Sequence, residues 1–415
     1  MKLGDACTKI GSGATPKGGK EVYKDSGTPF IRSQNVLDWS FTSNGLAFID
    51  DAQAAALANV EVEPHDILLN ITGDSVARAC MVPDWCTPAR VNQHVSIVRS
   101  SSSLDPTFLL CFLQSSKPLL LKLASSGATR NALTKSMIED LEIELPSIDV
   151  QRAIASLIGQ MQQKLALNHQ VNDYFSELAQ ALFIAWFEEH AGEREIASLA
   201  GGGEYCALDK LCSRITDGSH KSPKADPDGV YPMLSVKDMG RYGFSYSSCK
   251  RISKADYEDM SANDCVPRVD DILVAKDGSY LKEIFITDEQ REEAILSSIA
   301  IFRPDTRRIA PEVLLQYLKH PRVLKLVSDN FVSGSALPRI VLKDFRKLLL
   351  LVPERSVQDA ILPTLRSIRG LIRINEEESA RLSSLRDLLL PKLMSGEIDV
   401  SQVKLPMQPN NHLSL

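Results

Sequence analysis

The chain has 415 residues, 44% of them apolar and 24% charged, a composition ordinary for a globular protein and a length sufficient for two or more domains. Its formal charge of −6 argues mildly against a protein that binds DNA without a partner. No apolar run approaches the roughly 20 residues of a membrane helix, and the first residues lack the apolar core of a signal peptide. The eight cysteines form no C-x-x-C pair. We therefore expect a cytoplasmic protein with reduced thiols.

The first 147 residues alternate short apolar runs with Gly, Pro, Asn and Asp, a pattern typical of strands bounded by turns. The runs TPFIRSQNV (28–36), HDILLNITG (65–73) and HVSIVRS (94–100) predict strands. The segment DPTFLLCFLQSS (105–116) predicts a short helix with a proline near its first position. Residues 1–147 are therefore predicted to form an α+β domain.

Residues 148–195 are predicted to form one long helix, because apolar residues recur there at a spacing near 3.5 with almost no helix breakers. These are Ile154, Ile158, Met161, Leu165, Phe175, Leu182 and Trp186. Residues 196–353 then predict a second α+β domain, and residues 354–398 a second long helix. Its apolar positions are Ile361, Leu365, Ile368, Ile372, Leu382, Leu389 and Leu393. Residues 399–415 are expected to be a flexible tail.

The second half of the chain repeats the first at an offset of 203–207 residues. LGDACTKIGSG (3–13) matches LDKLCSRITDG (208–218), DILLNITG (66–73) matches DILVAKDG (271–278), and ELPSIDVQRAI (144–154) matches LVPERSVQDAI (351–361). A period this long indicates a duplicated domain rather than a solenoid. We therefore predict two tandem globular domains joined by two long helices that form an antiparallel coiled coil. Gln151 and Gln358 are predicted to have a structural role in the first helical turn.

One asparagine falls near the middle of each apolar seam, Asn168 in the first helix and Asn375 in the second. In an antiparallel pair related by a two-fold axis, the two midpoints would face each other. A buried contact between Asn168 and Asn375 would then fix the helix register at some cost in stability. The alternative is that each side chain is partly solvated and packs on nothing.

Catalytic signatures are missing from the sequence. It contains no G-x-x-x-x-G-K-[ST], no Asn/Asp-Pro-Pro-aromatic loop, no Glu-x-Lys and no H-E-x-x-H. Single histidines such as His65 and His220 are more often surface or core groups than metal ligands. We expect neither a catalytic residue nor a bound metal in this chain.

Polar loops at matching places in the two halves suit DNA contacts, with Lys and Arg for phosphates and Arg, Gln and Asn for base edges. The first-domain candidates are Thr15, Lys17, Lys20, Arg32, Ser33, Gln34, Asn35, Thr72, Arg78, Asn92, Gln93, His94 and Arg130. The second-domain candidates are His220, Lys221, Lys224, Ser235, Lys237, Lys276, Ser279, Tyr280 and Arg339. Any one of these residues could be polar only because loops face water. The collective pattern says more, because the apolar framework repeats whereas the loop residues differ.

The sequence resembles the specificity subunits of type I restriction–modification systems. The resemblance covers nearly the whole chain and rests on CTKIGSGATP (7–16), CSRITDGSH (212–220), GTPFIRSQNV (27–36), SSGATRNAL (125–133), RLSSLRDLLLPKLMSGEI (381–398) and the repeated pairs above. It implies two target-recognition domains, each reading one half of a bipartite DNA target. It also implies helices that set the gap between the half-sites, so that one helical turn inserted in both would change that gap.

The same resemblance implies partners. The helices would dock two modification subunits, which bind S-adenosylmethionine and methylate adenine, and a motor-nuclease subunit would complete the restriction enzyme. The specificity subunit itself would be non-catalytic and would bind no cofactor. The alternatives are the DNA-reading subunit of another phage-defence methylation complex and a coiled-coil scaffold without a DNA role. The missing motifs disfavour a self-sufficient methyltransferase or nuclease.

Overall fold

The structure is a computed structural model that describes residues 1–125, 131–192, 194–199, 205–247, 249–278, 281–334 and 338–400, with the backbone alone at residues 19 and 20. The chain divides into two compact units, one of Met1–Ala166 with Ala380–Leu415 and the other of Leu167–Ser379. Each unit combines a globular domain with part of both long helices. The predicted division, in which each helix is a segment of its own, stays a prediction.

The first unit contains an α+β domain, as predicted. Its helices are α1 (Leu3–Ala6), α2 (Asp51–Ala56), α3 (Pro106–Ser115), α4 (Lys117–Ser125), α5 (Lys135–Glu139) and the start of α6 (Ile148–Ala191). Its strands are β1 (Cys7–Ser12), β2 (Thr28–Ile31), β3 (Ala47–Ile49), β4 (Glu61–Val62), β5 (Ile67–Asn70), β6 (Ala79–Met81), β7 (Ala89–Val91) and β8 (Val95–Ser100). One antiparallel sheet has the order β1-β8-β5-β6, and a mixed sheet has the order β3-β2-β7-β4 with β2 and β7 parallel.

The second unit contains the other α+β domain. Its helices are the end of α6, α7 (Leu208–Leu211), α8 (Lys254–Ala262), α9 (Pro311–Lys319), α10 (Pro321–Asn330), α11 (Leu342–Phe345) and the start of α12 (Arg355–Met394). Its strands are β9 (Ala197–Ser198), β10 (Tyr205–Ala207), β11 (Cys212–Asp217), β12 (Tyr231–Leu234), β13 (Lys250–Ile252), β14 (Ile272–Ala275), β15 (Ile284–Ile286), β16 (Ala294–Ile295), β17 (Ile299–Pro304), β18 (Val332–Ser333), β19 (Arg339–Ile340) and β20 (Leu349–Leu351).

The sequence repeat is a repeat of strand order. The second unit has one antiparallel sheet in the order β11-β17-β14-β15 and a mixed sheet in the order β13-β12-β16, with β12 and β16 parallel. These strands correspond to β1-β8-β5-β6 and to β3-β2-β7 of the first unit. Two further small sheets, β10-β20-β9 and β18-β19, complete the second unit.

A buried ion pair recurs at the same place in both domains. In the first, Arg99 donates to Asp66 through Nε (2.7 Å) and Nη2 (2.8 Å), and the Asp66 side chain is fully buried. In the second, Arg303 makes the same two contacts to the fully buried Asp271, each 2.8 Å long. A fully buried carboxylate is tolerated because these charged hydrogen bonds compensate its lost hydration.

Each long helix is attached to its own domain by a glutamine in its first turn. Gln151 accepts from the N–H of Asp105 (3.0 Å) and donates to the carbonyls of Ser103 (3.1 Å) and Pro146 (3.0 Å). Gln358 repeats the pattern with the N–H of Ala310 (3.0 Å) and the carbonyls of Arg308 (2.9 Å) and Pro353 (3.0 Å). The predicted structural role of both glutamines is confirmed.

The two long helices run antiparallel within the second unit, where the buried Asn168 and Asn172 and the half-buried Asn375 lie on their seam. Asn168 donates to Glu378 Oε2 (2.9 Å) and Ser379 Oγ (3.1 Å), whereas Asn375 donates to Asn172 Oδ1 (2.8 Å). Asn168 also donates to the backbone carbonyl of Asn375 (3.4 Å), so the predicted contact between these two residues is present, although the Asn375 side chain pairs with a different residue. The partner of Asn375 is Asn172, which the sequence analysis did not single out.

Apolar side chains pack each half of the helix pair onto its own domain. In the first unit, Ile154, Ile158, Leu390 and Leu393 belong to the core that also contains α3. In the second unit, Phe183 and Leu365 belong to the corresponding core. No helix in the described part of the chain is long and apolar enough to cross a membrane.

Candidate nucleic-acid interface

Two loops of the first unit close on each other at Gly13. Its N–H donates to the carbonyl oxygen of Val95 (2.9 Å), and the N–H of Ala14 donates to that of Val91 (3.0 Å). A Cβ at residue 13 would lie 2.0 Å from the Val91 oxygen, far inside the contact distance of real atoms. Glycine is therefore required there, and it brings the loop after β1 against the loop between β7 and β8.

Two more loops meet at the same end of the sheets. The N–H of Ile71 donates to the carbonyl of His94 (2.9 Å), and the N–H of Leu133 donates to that of Ile71 (2.8 Å). The N–H of Asn92 donates to the carbonyl of Ile31 at the end of β2 (3.0 Å). The ends of β1, β2, β5 and β7 thus converge, and they bring together candidates that lie far apart in the sequence.

Four of these candidates form a hydrogen-bonded chain across three loops. The Thr15 hydroxyl donates to Gln93 Oε1, and Gln93 Nε2 lies 3.4 Å from His94 Nε2. His94 Nδ1 lies 2.6 Å from the Thr72 hydroxyl. Thr15 and Gln93 are exposed, so this chain offers donors and acceptors that could face a base edge.

Arg32 and Gln34 lie beside one another over the loop before β3. Both donate to the carbonyl oxygen of Gly45, Gln34 over 3.2 Å, and the guanidinium of Arg32 lies 5.4 Å from the centre of the Tyr23 ring. Gln34 is exposed and Arg32 is half-buried. Since each is held by a single carbonyl, both can turn towards a ligand at the cost of one hydrogen bond. Tyr23 was not predicted, because nothing in its local sequence marks it as a neighbour of Arg32.

Asn35 and Asn92 are both buried and bond within the fold. Asn35 is fully buried, accepts from the Arg32 N–H (3.0 Å) and donates to the carbonyl of Thr42 (3.0 Å). Asn92 is 8% exposed, and its Oδ1 accepts from the His94 N–H (3.1 Å). Both groups of the Asn35 amide are bonded within the fold, so the prediction that Asn35 contacts DNA is corrected, whereas that of Asn92 stays a prediction.

Asn70 is a further structural asparagine that sequence reasoning missed. It is fully buried, and its Nδ2 donates to the carbonyls of Ser33 (2.9 Å) and Val36 (3.3 Å). It therefore holds the segment that carries Arg32, Ser33 and Gln34 against the end of β5. Its position at the end of an apolar run, in LLNITG, is the only signal that could have drawn attention to it.

The loops of the second unit are joined by the same pattern of backbone hydrogen bonds, which we call the backbone frame, but by different residues. The N–H of Gly218 donates to the carbonyl of Ile299 (3.0 Å), and a Cβ there would lie 2.5 Å from the Ile295 oxygen. The N–H of Lys276 donates to the carbonyl of Ser298 (2.9 Å), and the N–H of Ile340 donates to that of Lys276 (3.0 Å). These bonds match those of Gly13, Ile71 and Leu133 in the first unit.

Two second-domain candidates are held inside this frame. Lys276 is 7% exposed, and its Nζ lies 2.8 Å from Asp217 Oδ1, so its charge is already neutralised. The Ser235 hydroxyl donates to Asp238 Oδ2 (2.9 Å), and Asp238 also accepts from the Ser235 N–H (2.8 Å). Lys276, which was predicted to contact DNA, is therefore buried and paired within the fold, and Ser235 shapes its turn.

The remaining described candidates lie nearer the surface. Lys17, Lys224, Lys237 and Arg339 are exposed, and Ser33 and Arg78 are half-buried. His220 Nε2 lies 3.6 Å from Asp217 Oδ2, and Lys221 donates to Asp259 (2.9 Å), which raises the pKa of the Lys221 ammonium. Arg130, Ser279, Tyr280 and the side chain of Lys20 lie outside the described residues.

Comparison with known proteins defines the class of this domain. Residues 1–174 match the family described as the type I restriction modification DNA specificity domain. The resemblance found in the sequence is therefore confirmed.

Full-length relatives extend the match over most of the chain. The type I restriction enzyme HindI specificity subunit of Haemophilus influenzae is 22% identical, over 89% of this chain and 94% of its own. The MjaIX specificity subunit of Methanocaldococcus jannaschii is 20% identical, over 95% of this chain and 92% of its own. The crystal structure of the S subunit from M. genitalium aligns over 95% of both chains at 15% identity, with a TM-score of 0.49.

Proposed function

We propose that this chain is the DNA sequence-recognition subunit of a type I restriction–modification enzyme, with each globular domain reading one half of a bipartite target. The observation that carries the proposal is that both domains share the same backbone hydrogen bonds between loops but differ in loop side chains. Gly13 and Gly218 close equivalent loops, but Gln93 and His94 of the first domain have Ser297 and Ser298 at the matching places in the second, where Lys276 pairs with Asp217 instead. Two domains that share one fold but recognise different DNA sequences need a common backbone and different loop side chains.

In the proposed mechanism, exposed cations contact phosphates and position the duplex, while polar side chains read the bases. Lys17 in the first domain and Lys224, Lys237 and Arg339 in the second are the phosphate candidates. Arg32 and Gln34 are the strongest base-reading candidates, because arginine pairs with guanine and glutamine with adenine through two hydrogen bonds each.

The chemistry belongs to partners in this proposal. Two modification subunits would bind S-adenosylmethionine and methylate adenine, and this non-catalytic chain would hold no cofactor. A motor-nuclease subunit would join for restriction. These partner proteins would also supply positive charge around the DNA, which fits a chain whose own formal charge is −6.

An exposed apolar stripe on α6 suits the docking of a modification subunit. Leu167, Tyr174, Leu178 and Leu182 are between 36% and 59% exposed. The last three follow one another at four-residue intervals, which places them on one side of the helix. Large apolar side chains exposed in a row are typical of a protein interface.

The docking proposal predicts that Leu178→Asp weakens binding of the modification subunit by about tenfold or more, because a charge would be buried at an apolar contact. Pull-down with a tagged modification subunit measures this loss. Glu177→Arg is the control, since residue 177 is exposed but turned about 100° from residue 178. Equal binding of the Leu178→Asp variant and the unmodified chain would contradict the proposal.

The DNA role is tested by measuring duplex binding of the chain together with its modification subunits. We expect the logarithm of the binding constant for a target-containing duplex to fall linearly with the logarithm of the salt concentration. Non-target duplex is expected to bind more weakly at every salt concentration. A coiled-coil scaffold without a DNA role would show no salt-dependent binding and no preference between the two duplexes.

A further inference from the structure

A short hairpin follows the candidate base-reading segment in each domain. We call residues 32–35 and 235–238 the reading turns, and the residues that follow them, 36–41 and 239–244, the bridging hairpins. Each bridging hairpin is closed by one antiparallel bridge between its first and last residues, Val36 with Phe41 and Met239 with Phe244. Since the two hairpins lie 203 residues apart, they are equivalent elements of the duplicated fold.

Hydrogen bonds connect each reading turn to its bridging hairpin. In the first unit, the Asn35 side chain accepts from the Arg32 N–H (3.0 Å), and the Asn35 carbonyl accepts from the N–H of the residue after the hairpin (2.9 Å). In the second unit, the Asp238 side chain accepts from the Ser235 N–H (2.8 Å), and the Asp238 carbonyl accepts from the N–H of the residue after the hairpin (2.8 Å). A displacement of either hairpin would therefore move its reading turn.

In the first unit, the tip of the bridging hairpin contacts α12. The ring centre of Trp39 lies 5.2 Å from the guanidinium of Arg386, whose side chain is only 12% exposed, and such a cation attracts the ring face. Trp39 also has a φ of 65° and donates its N–H to the carbonyl of Ala79 (2.9 Å). A bulky residue keeps this left-handed conformation only where its surroundings enforce it. The tip is therefore held by both the helix and the sheet.

In the second unit, the tip of the bridging hairpin contacts α6 through different chemistry. Tyr242, the counterpart of Trp39, donates its hydroxyl to Asp173 Oδ1 (2.7 Å), and Arg241 Nη1 lies 2.9 Å from the same oxygen. Burial and the hydrogen bond to Asp173 raise the pKa of Tyr242, so its hydroxyl stays a donor. Hydrogen bonds to a charged group are about twice as strong as neutral ones. Asp173 therefore fixes this tip to one turn of α6.

The two copies keep the contact but not the residues that make it. The helix counterpart of Asp173 is Ala380, and that of Arg386 is Ala179. A contact that persists while a cation over a ring is exchanged for a charged hydrogen bond indicates that the position of the tip matters. Each bridging hairpin thus ties a reading turn to the part of the helix pair within its own unit.

We propose that Trp39 and Tyr242 are positioning residues, which set the place of each reading turn relative to the helix pair and so determine how well each domain discriminates its own half-site. Neither side chain contacts DNA in this proposal. A hydrogen bond to a base edge is lost when its atoms separate by about 1 Å, so a released turn reads poorly. The inference rests on the proposed function, because the position matters only if the turns read bases.

Tyr242→Phe tests the anchor itself, because it removes the hydroxyl that binds Asp173 and keeps the ring. Hydrogen exchange of the full chain without DNA is expected to become about tenfold faster at the amides of residues 239–245. Tyr205→Phe is the matched control, since the Tyr205 hydroxyl donates to the Glu195 carbonyl (2.9 Å) in the same unit and Tyr205 lies in the sheet of β9, β10 and β20. Unchanged exchange at residues 239–245 in Tyr242→Phe would overturn the proposal.

DNA binding tests the positioning role. The chain with its modification subunits is titrated with target duplex and with duplexes changed in one half-site at a time. Tyr242→Phe is expected to lower the preference for target about tenfold at one half-site and to leave the other unchanged. Arg386→Gln, which removes the cation beside Trp39, is expected to lower the preference at the opposite half-site. Asp173→Asn keeps an acceptor for Tyr242 and is expected to retain the preference that Asp173→Ala loses.

The half-site pattern separates positioning from a general loss of stability. A preference lowered at both half-sites or at neither by Tyr242→Phe, or lowered equally by Tyr205→Phe, would overturn the proposal. If the unmodified chain does not distinguish target from changed duplexes, the proposed DNA role fails and the positioning role fails with it. When the positioning role alone is wrong, the unmodified chain is selective and Tyr242→Phe is equally selective.

Discussion

At the scale of single residues, Gly13 and Gly11 make a matched pair. A Cβ at Gly13 would lie 2.0 Å from the Val91 oxygen, whereas a Cβ at Gly11 meets nothing within 4 Å. We expect Gly13→Ala to push the loop after β1 away from the loop that carries Gln93, and so to lower both the urea midpoint of unfolding and the affinity for target DNA. Gly11→Ala is expected to change neither. Equal urea midpoints and equal DNA affinities of the two variants would contradict the claim that the loops require glycine at residue 13.

The buried ion pair gives a second prediction at this scale. Asp66→Ala leaves Arg99 without its fully buried partner, which is expected to cost about 3 kcal/mol of unfolding free energy. Asp140, which pairs with Lys2 at the exposed surface, is the control, and Asp140→Ala is expected to leave the unfolding curve unchanged. Urea unfolding curves of the two variants and of the unmodified chain measure both changes in unfolding free energy. Equal effects of the two substitutions would show that burial of the pair is unimportant.

The residue types in the loops predicted part of the candidate site. Arg32 and Gln34 were singled out because their side chains suit base edges, and both are accessible in the structure. Asn35 and Lys276 were chosen by the same reasoning and are buried. Their partners, the Thr42 carbonyl and Asp217, are fixed by chain folding that residue type does not reveal.

At the scale of elements, the long helices were the most predictable feature. Apolar spacing near 3.5 and the repeated glutamine located α6 and α12, which begin at Ile148 and Arg355. The detailed register was not predictable, because Asn168 and Asn172 lie one turn apart and both can reach the opposite helix. The structure selects Asn172 as the partner of Asn375.

This register predicts coupling between Asn172 and Asn375. Replacing either one by leucine removes the hydrogen bond between the two amides at the helix seam, which is expected to cost about 1 kcal/mol. The double variant is expected to lose less than the sum of the two single variants, as a double-mutant cycle of urea unfolding would measure. Gln170→Leu, at an exposed position on α6, is the control. Strict additivity of the two single substitutions would mean that the Asn172–Asn375 contact contributes nothing to the register.

At the scale of the whole molecule, duplication explains what the sequence could predict. The repeat at 203–207 residues predicted two domains of one fold, and the matching strand orders confirm it. What differs between the copies could not be read from the repeat. The loop side chains differ between the copies, since Gln93 and His94 in the first domain correspond to Ser297 and Ser298 in the second. The expectation that the helices set the gap between two half-sites stays a prediction.

The central claim is that each domain independently reads one half of a DNA target. The most direct test exchanges residues 205–351 for the matching segment of the Haemophilus influenzae relative and maps methylated adenines across the genome of cells that also express the modification subunits. We predict a bipartite methylated motif in which the exchange alters one half and leaves the other unchanged. A motif unaltered by the exchange, or one altered in both halves, would contradict the account.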